Sequence, residues 1–248
     1  MRQRPHLVLL HGWGMEGRVF SPWLPMLEQD FHVHSWELPG HGERPCPAAG
    51  WQWETELDNL HQRLVAVSAA PILLGWSLGG LLALALALRE DLRLTGLVLV
   101  ATSPCFVARP DWSAGIAAQT LDDFARELTR DAQGLRRRFF ALQTLGDPAA
   151  RTRMLQIDDW PLPDRDCLQA GLGFLRDIDL RPSLHALPYP VLLLQGDADR
   201  IVLPAAAEAL QQALPGSVLR LLHCGHAPFL SQPTACSQAL REVFLRCP

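Results

Sequence analysis

The chain has no lysine, so all 22 of its basic residues are arginines, a bias that genomic base composition explains better than function. The 26 acidic residues outnumber them, and the net charge is −4. A negative balance argues against a general nucleic-acid-binding protein, because such proteins attract the phosphate backbone with an excess of positive charge.

The sequence also has no apolar run long enough to cross a membrane. Its longest, residues 78–88, falls well short of the roughly 20 residues that a membrane-spanning helix needs. The run at residues 7–10 is too short for the apolar part of a signal peptide, and it leads into His-Gly-Trp-Gly instead of a cleavage site. We therefore expect a soluble cytoplasmic protein with no membrane partner.

The six cysteines never form a C-x-x-C pair. Their scatter indicates neither a zinc site nor a redox motif, so we expect reduced thiols, no metal and no cofactor. Hydrophobic residues make up 48% of the 248 positions, and eight positions are tryptophan, which is ample for a buried core. The length fits one large α/β domain, or a core with a modest insertion.

Segments typical of strands and of helices alternate along most of the chain, which predicts an α/β fold with a mainly parallel sheet. Short apolar runs predict strands at residues 7–10, 32–36, 72–74, 94–100, 191–194 and 218–222. Apolar residues at helical spacing predict helices at residues 20–27, 54–67, 78–88, 204–213 and 234–244.

The alternation stops between residues 104 and 187, where no strand is predicted. Apolar residues recur there three or four positions apart, as on one face of a helix. They are Leu121, Phe124 and Leu128, then Leu135, Phe139 and Leu142. We expect Gly134 to separate two helices and residues 146–148 to end the second. The chain is thus predicted to have an α/β core, residues 1–103 and 188–248, interrupted by a helical cap at 104–187.

One segment, residues 73–80, combines an apolar strand, a Gly-x-Ser-x-Gly turn and an apolar helix. This is the context of a nucleophile elbow, in which a tight turn exposes the serine at the carboxyl end of a central strand. The motif without such flanks is common by chance, but both flanks fit here. Ser77 is therefore the candidate nucleophile.

A serine hydroxyl needs a base, and the base needs an acid that orients it. Acids follow a late predicted strand at Asp197 and Asp199, and histidines follow the last one at His223 and His226. The order serine, acid, histidine is the order found in enzymes built around such an elbow. We favour His226 as the base, because it follows a glycine and precedes Ala-Pro, while the residues alone leave the choice of acid open.

An oxyanion hole requires two main-chain N–H groups, one from the residue after the nucleophile and one from an early loop. The candidates are Leu78 and, in the glycine-rich loop after the first strand, Trp13. His11 in the same loop is interpreted as a hydrogen-bonding residue that orders the loop, and Ser103 as an ordinary polar residue after a strand.

Taken together, these segments resemble the α/β-hydrolase superfamily over nearly the whole chain. Within it, the sequence is similar to the pimeloyl-[acyl-carrier protein] methyl ester esterases of biotin synthesis. The similarity extends to Ser-Pro-Cys-Phe at residues 103–106, Arg-Phe-Phe-Ala-Leu-Gln-Thr at 138–144 and His-Ala-Pro-Phe at 226–229. The first two are the more specific, since they lie at the cap.

The resemblance implies a catalytic triad of Ser77, Asp199 and His226. It also implies a substrate site formed by Trp13, Ser77, Leu78, Phe139, Phe140, Ala141, Leu142, Gln143 and His226. Arg138 and Arg151 are then the candidates for docking an acidic acyl carrier protein, since arginine pairs well with carboxylate and phosphate. The alternative is a solvated arginine-rich helical face, formed with Arg136, Arg137 and Arg153, whose members pair with local acids such as Asp147.

The expected reaction is hydrolysis of the methyl ester of a pimeloyl chain carried on that protein, by a monomeric enzyme. Two features depart from the family pattern: we expect none of the antiparallel strands that usually open the fold, and the acid loop carries an extra acid and Arg200. A broad carboxylesterase acting on small esters without a carrier is one alternative. A non-catalytic ligand receptor on the same fold is another. Dehalogenases and epoxide hydrolases are disfavoured because they use a carboxylate nucleophile, and position 77 is serine.

Overall fold

Six strands form one sheet in this computed structural model, which describes residues 4–155 and 160–245. In chain order they are β1 (His6–Leu10), β2 (His32–Trp36), β3 (Ile72–Trp76), β4 (Gly96–Val100), β5 (Val191–Gly196) and β6 (Val218–Leu222). Their order across the sheet is β2-β1-β3-β4-β5-β6, and every neighbouring pair is parallel. The predicted α/β fold with a parallel sheet is confirmed.

The central strands β3, β4 and β5 are apolar except for Gln195 near the end of β5, because helices cover both faces of the sheet. All residues of β3, β4 and β5 are buried, whereas the edge strands β2 and β6 are only partly buried. Strands β1 and β3 are neighbours, but β1 is followed by β2 on one side and β3 by β4 on the other. In parallel sheets, ligands bind beyond the carboxyl ends of the strands at such a reversal of strand order. Ser77 follows β3 immediately.

Helices connect the strands. They are α1 (Leu24–Leu27), α2 (Trp53–Val67), α3 (Leu78–Ala87), α4 (Ala118–Arg130), α5 (Ala132–Gln143), α6 (Pro148–Leu155), α7 (Arg165–Asp177), α8 (Pro204–Ala213), α9 (Pro228–Ser231) and α10 (Pro233–Phe244). None of the helices in the described part of the chain is both long and apolar enough to span a bilayer.

The four helices α4 to α7 lie between β4 and β5. Helix α4 packs against α5 and α7, and α6 packs against α9 at the opposite end. Outside the named strands, residues 105, 107 and 109 form only isolated bridges, so this part of the chain adds no strand to the sheet. These helices occupy the position predicted for the cap, and the division into core and cap remains a prediction.

Two local predictions were wrong. Gly134 does not separate two helices: it lies in the first turn of α5, and the break falls at Asp131, whose carboxylate accepts the Gly134 N–H at 2.8 Å. An aspartate N-cap satisfies a free N–H of the first turn and so outweighs the low helical propensity of glycine. The helix expected at residues 20–27 is instead a 3₁₀ turn at Gly17–Phe20 followed by the short α1, which has a proline in its first turn.

The buried histidine His41 predicts that acid destabilises the fold. Burial lowers its pKa to about 3, while its Nδ1–H donates to Pro39 O at 2.8 Å. In the unfolded chain the imidazole titrates near its ordinary value of about 6.5. Between these two pH values, His41 binds a proton in the unfolded chain but not in the folded one. The contribution of His41 to the free energy of unfolding is therefore fully present above a pH of about 6.5, and it falls by up to about 1.4 kcal/mol per pH unit as the pH decreases.

Urea unfolding between pH 7 and pH 5 measures this effect, with His41→Asn as the matched variant because its amide can still donate to Pro39 O. The free energy of unfolding of the wild type should fall more steeply with decreasing pH than that of the variant. Equal slopes would show that His41 is not the group responsible.

Candidate active site

Ser77 lies on a strained turn between β3 and α3. Its φ is 55° and its ψ is −118°, a conformation that costs a residue other than glycine about 1–3 kcal/mol. The Ser77 N–H donates to Val100 O at 2.9 Å, and the Thr102 hydroxyl donates to Ser77 O at 2.8 Å. Groups on and just after β4 therefore hold the strained turn, as a nucleophile elbow requires.

Two glycines permit the close packing around this turn. A Cβ on Gly79 would collide with the carbonyl oxygens of Leu10 and His11, and a Cβ on Gly75 would collide with the main chain of Gly79. Helix α3 thus begins directly against the loop that follows β1. The same packing brings Gly12 next to the elbow, since a Cβ there would lie 3.2 Å from the Cβ of Ser77.

Asp199 and His226 form a buried hydrogen-bonded pair. Asp199 Oδ2 lies 2.8 Å from His226 Nδ1, and the two residues are 2% and 1% exposed. The carboxylate also accepts the Gln195 side-chain amide at 3.0 Å and the N–H groups of Ile201 and Val202 at 2.8 and 3.1 Å. These bonds fix the carboxylate, so that Nδ1 donates to it and Nε2 is left as the proton acceptor.

The core places His226 beside the elbow. The Trp76 indole N–H donates to His226 O at 2.8 Å, and Trp76 directly precedes Ser77. His226 Nε2 is buried and makes no hydrogen bond with any described residue. Hydrogen bonds between a nucleophile and its base are often long without substrate and tighten when it binds.

The rival acid and base pair with each other at the surface. Asp197 Oδ2 lies 3.0 Å from His223 Nδ1, and the His223 side chain is 93% exposed. Each member shifts the other: His223 lowers the pKa of Asp197, and Asp197 raises the pKa of His223. Both candidate pairs thus exist, but only Asp199 and His226 are buried beside the elbow.

The two main-chain N–H groups proposed for the oxyanion hole, those of Trp13 and Leu78, have no hydrogen-bond acceptor among the described residues. Leu78 is the first residue of α3, where an N–H has no partner within the helix. The Trp13 indole N–H donates to Leu168 O at 2.8 Å, which ties the loop after β1 to α7.

His11 and Ser103 both make local hydrogen bonds. His11 Nε2 accepts the Leu38 N–H at 3.0 Å, and its Nδ1 lies 2.9 Å from Gly12 O. The Ser103 hydroxyl donates to Cys105 O at 2.6 Å. These contacts agree with the ordering role predicted for His11 and the ordinary role predicted for Ser103.

An apolar cavity extends from Ser77 between the helices α4, α5 and α7. Its lining consists of Trp13, Ser77, Phe106, Ile116, Thr120, Leu121, Phe124, Phe139, Leu142, Leu172, Leu175, Arg200 and Ile201. Sequence reasoning proposed four of these as site residues: Trp13, Ser77, Phe139 and Leu142. Helical periodicity placed Leu121 and Phe124 on the apolar face of a helix, but it did not indicate that this face lines a cavity.

A second groove on the outer side of these helices adjoins the cavity. It is lined by Thr120, Asp123, Phe124, Glu127, Arg138, Ala141, Leu142 and Leu145. Thr120, Phe124 and Leu142 border both spaces.

The predicted acyl-pocket residues thus occupy four different positions. Phe139 and Leu142 line the cavity, and Ala141 lines the outer groove. Phe140 is buried beneath the guanidinium of Arg136, whose central carbon lies 5.9 Å from the ring centroid. Gln143 is buried and accepts the His226 N–H on its main-chain oxygen at 3.0 Å.

The arginines of this region do not form one exposed face. Arg136 is 8% exposed and donates to Trp160 O, so it belongs to the packed interior. Arg138 is exposed and forms an ion pair with Glu127 of α4, and Arg151 is exposed. Asp147, expected as a local partner of these arginines, instead accepts main-chain N–H groups.

One group of side chains has the chemistry of a metal site. The Sγ atoms of Cys46 and Cys167 and a carboxylate oxygen of Asp164 all lie within 4.8 Å of one another. Burial raises the pKa of both thiols, which favours the protonated form, whereas metals bind the thiolate.

Comparisons with known proteins show the family to which the chain belongs. Residues 7–239 match the profile of a family described as the alpha/beta hydrolase family. Two relatives carry the name pimeloyl-[acyl-carrier protein] methyl ester esterase. The protein from Aromatoleum aromaticum is 41% identical over 97% of this chain and 98% of its own length. The protein from Cronobacter sakazakii is 43% identical over 97% and 93%.

A similar fold occurs in a solved structure, the bromoperoxidase from Bacillus anthracis. The TM-score is 0.89 at 20% identity, covering 98% of this chain and 93% of that one. A likeness at this identity concerns the fold alone. The family profile and the relatives extend over nearly the whole chain, and this chain therefore belongs to the alpha/beta hydrolase family.

Proposed function

We propose that this protein is a serine carboxylesterase that hydrolyses the methyl ester of a pimeloyl chain carried on an acyl carrier protein, as a step of biotin synthesis. The observation that carries the chemistry is the buried Asp199–His226 pair beside the strained turn at Ser77. The substrate class is supported by the names of the relatives, which share about two fifths of their residues with this chain.

In the first half of the reaction, Ser77 Oγ attacks the ester carbonyl while His226 Nε2 takes its proton. Asp199 holds the imidazole and stabilises the positive charge that forms. The negative charge on the carbonyl oxygen is stabilised by the N–H groups of Trp13 and Leu78, and one such donor contributes about 100- to 1000-fold in rate. The tetrahedral intermediate collapses as the C–O bond to the methoxy group breaks, and His226 returns the proton to release methanol.

In the second half, water hydrolyses the acyl-enzyme. His226 Nε2 accepts a proton from the attacking water, and the same two N–H groups hold the new oxyanion. Collapse returns the proton to Ser77 Oγ and frees the pimeloyl carboxylate, which is still attached to its carrier.

The helical segment at residues 104–187 is proposed to act as the cap over this site. Helices α4, α5 and α7 supply most of the apolar cavity beyond Ser77. An acyl chain that enters from the outer groove would pass Phe124 and Leu142, and its far end would reach the elbow while the carrier stays outside. This arrangement would present the terminal ester to Ser77 and keep the carrier thioester at the surface.

Carrier docking gives a prediction at Arg138, which lies at the outer groove. Arg138→Ala should raise the KM for the carrier-bound methyl ester about tenfold, because a charge-assisted contact is worth about 1.5–3 kcal/mol. The KM for a free methyl ester should not change. Added salt should weaken turnover of the carrier-bound ester alone, since it screens exposed charges.

Arg137→Ala is the matched control, because it removes the same charge from the neighbouring exposed position of α5, outside the groove. Arg151→Ala should act in the same direction as Arg138→Ala. If Arg138→Ala, Arg137→Ala and the wild type had equal KM values for the carrier-bound ester, Arg138 would have no role in docking the carrier.

The second candidate is a broad carboxylesterase without a carrier. It is favoured by the ion pair between Arg138 and Glu127, which already gives this guanidinium a local partner. Such an enzyme would hydrolyse carrier-bound and free methyl esters with equal kcat/KM at every salt concentration. The predicted cytoplasmic location and monomeric state stay predictions.

A further inference from the structure

Two hydrogen bonds attach the loop that carries His226 to the segment between the last residue of α5 and the first residue of α6. The His226 N–H donates to Gln143 O, and the preceding Gly225 N–H donates to Asp147 Oδ2, each at 3.0 Å. The core supplies the other contacts, from Trp76 to the His226 carbonyl and from Asp199 to the ring. The core and the segment that follows α5 thus each supply two of these hydrogen bonds to the loop that carries the base.

Asp147 uses both of its carboxylate oxygens in buried contacts. Oδ2 accepts the Gly225 N–H, and Oδ1 accepts the Ala150 N–H in the first turn of α6, also at 3.0 Å. The residue is only 5% exposed. Removing a buried acceptor leaves its donor without a partner, which is unfavourable, so the Gly225 contact restrains the loop.

Close approach of the two main chains makes this attachment tight. A Cβ on Gly225 would lie only 2.7 Å from Gln143 O, so a larger residue there would push the loop away from α5. The segment from Gln143 to Asp147 continues directly from the helix face that places Phe139 and Leu142 in the cavity.

We propose that Asp147 is a positioning residue for the general base: it holds the Gly225–His226 loop in its catalytic position against the end of the acyl-binding helix. This inference rests on the proposed role of His226 in ester hydrolysis. The consequence is that the base is correctly placed only while α5 is docked, so a displaced α5 would lower both chain binding and reactivity of Ser77.

The test is Asp147→Ser with Asp131→Ser as its matched control. Both aspartates cap a helix of this segment, and serine is an equally good N-cap residue. Each variant therefore keeps a cap and loses one carboxylate, but only Asp147→Ser removes the acceptor of the Gly225 N–H. The assay uses a short aryl ester, which needs neither carrier nor acyl pocket, together with the rate of inactivation by an organophosphonate.

We expect Asp147→Ser to lower kcat and the inactivation rate by up to about 100-fold, the size of effect that a displacement of about 1 Å produces. The KM should match that of Asp131→Ser, whereas the melting temperature should be lower, because only Asp147→Ser leaves a buried N–H group without its acceptor. If Asp147→Ser does not fold, Asp147→Thr replaces it, because threonine also caps a helix with a single short hydroxyl and lacks the second carboxylate oxygen that accepts the Gly225 N–H, so the same loss of kcat is expected.

Wild-type kcat and inactivation rate in a folded Asp147 variant would overturn the inference. An equal loss in Asp131→Ser would also overturn it, since the effect would then come from the helices in general. A wild-type protein that cleaves the aryl ester but not the carrier-bound ester would instead remove the proposed substrate and leave the role of Asp147 standing.

Discussion

Ser77→Ala is expected to lower kcat for ester hydrolysis by about a million-fold, the size of effect seen when a serine nucleophile that acts with a histidine base is removed. The expected loss is this large because attack depends on the strained turn at Ser77, which directly follows Trp76, the residue whose indole N–H donates to His226 O. The measurements are turnover of an aryl ester and covalent labelling by an organophosphonate, which reacts only with an activated serine.

Ser103→Ala is the control for this variant. Ser103 is also a buried serine that follows a central strand, but its hydroxyl bonds only the main chain of Cys105. The Ser103→Ala variant should therefore be labelled by the organophosphonate and turn over the aryl ester as the wild type does. Labelling that persists in Ser77→Ala would assign the nucleophile elsewhere, and a wild-type protein that is not labelled at all would favour the non-catalytic receptor.

Asp199→Asn is expected to lower kcat by about 10,000-fold, the loss that the same change causes in the triad of a serine protease. The amide would keep the size of the side chain, but its NH₂ group could donate to His226 Nδ1. The imidazole would then carry its proton on Nε2, where it must accept the proton of Ser77. The KM for a small ester should change little, because Asp199 does not line the cavity.

Asp197→Asn provides the matched control on the same loop. This acid is exposed and pairs with the exposed His223, and surface pairs of this kind contribute little. The variant should therefore keep nearly full activity and a wild-type melting temperature. Loss of turnover in Asp197→Asn with full turnover in Asp199→Asn would reverse the assignment of the acid.

The position of Ser77 could be predicted from the sequence because a local pattern encodes it. Strand, glycine turn and helix are all read from neighbouring residues, and the structure has them at 72–76, 77 and 78–87. The choice between Asp197 and Asp199 could not be made from the residues. Both lie on one short loop, and which of them turns inward depends on contacts with Gln195, His226 and the main chain of residues 201–202.

The attachment of the His226 loop could not be predicted from the sequence. Its contacts join residues about 80 positions apart, and one of them, Gln143 O, is a main-chain atom whose side chain is irrelevant to the bond. Asp147 resembled an ordinary surface acid near arginines. The burial of Arg136 could not be predicted either, because a run of three arginines does not indicate which of them packs into the interior.

The most direct test of the proposed function is mass spectrometry of the intact carrier. Pimeloyl-carrier methyl ester would be incubated with the wild-type protein and, separately, with Ser77→Ala. The proposal predicts loss of the methyl group with the thioester intact, released methanol, and no change with Ser77→Ala. A carrier that stays unchanged in a preparation that still cleaves an aryl ester, or one that loses its whole acyl chain, would contradict it.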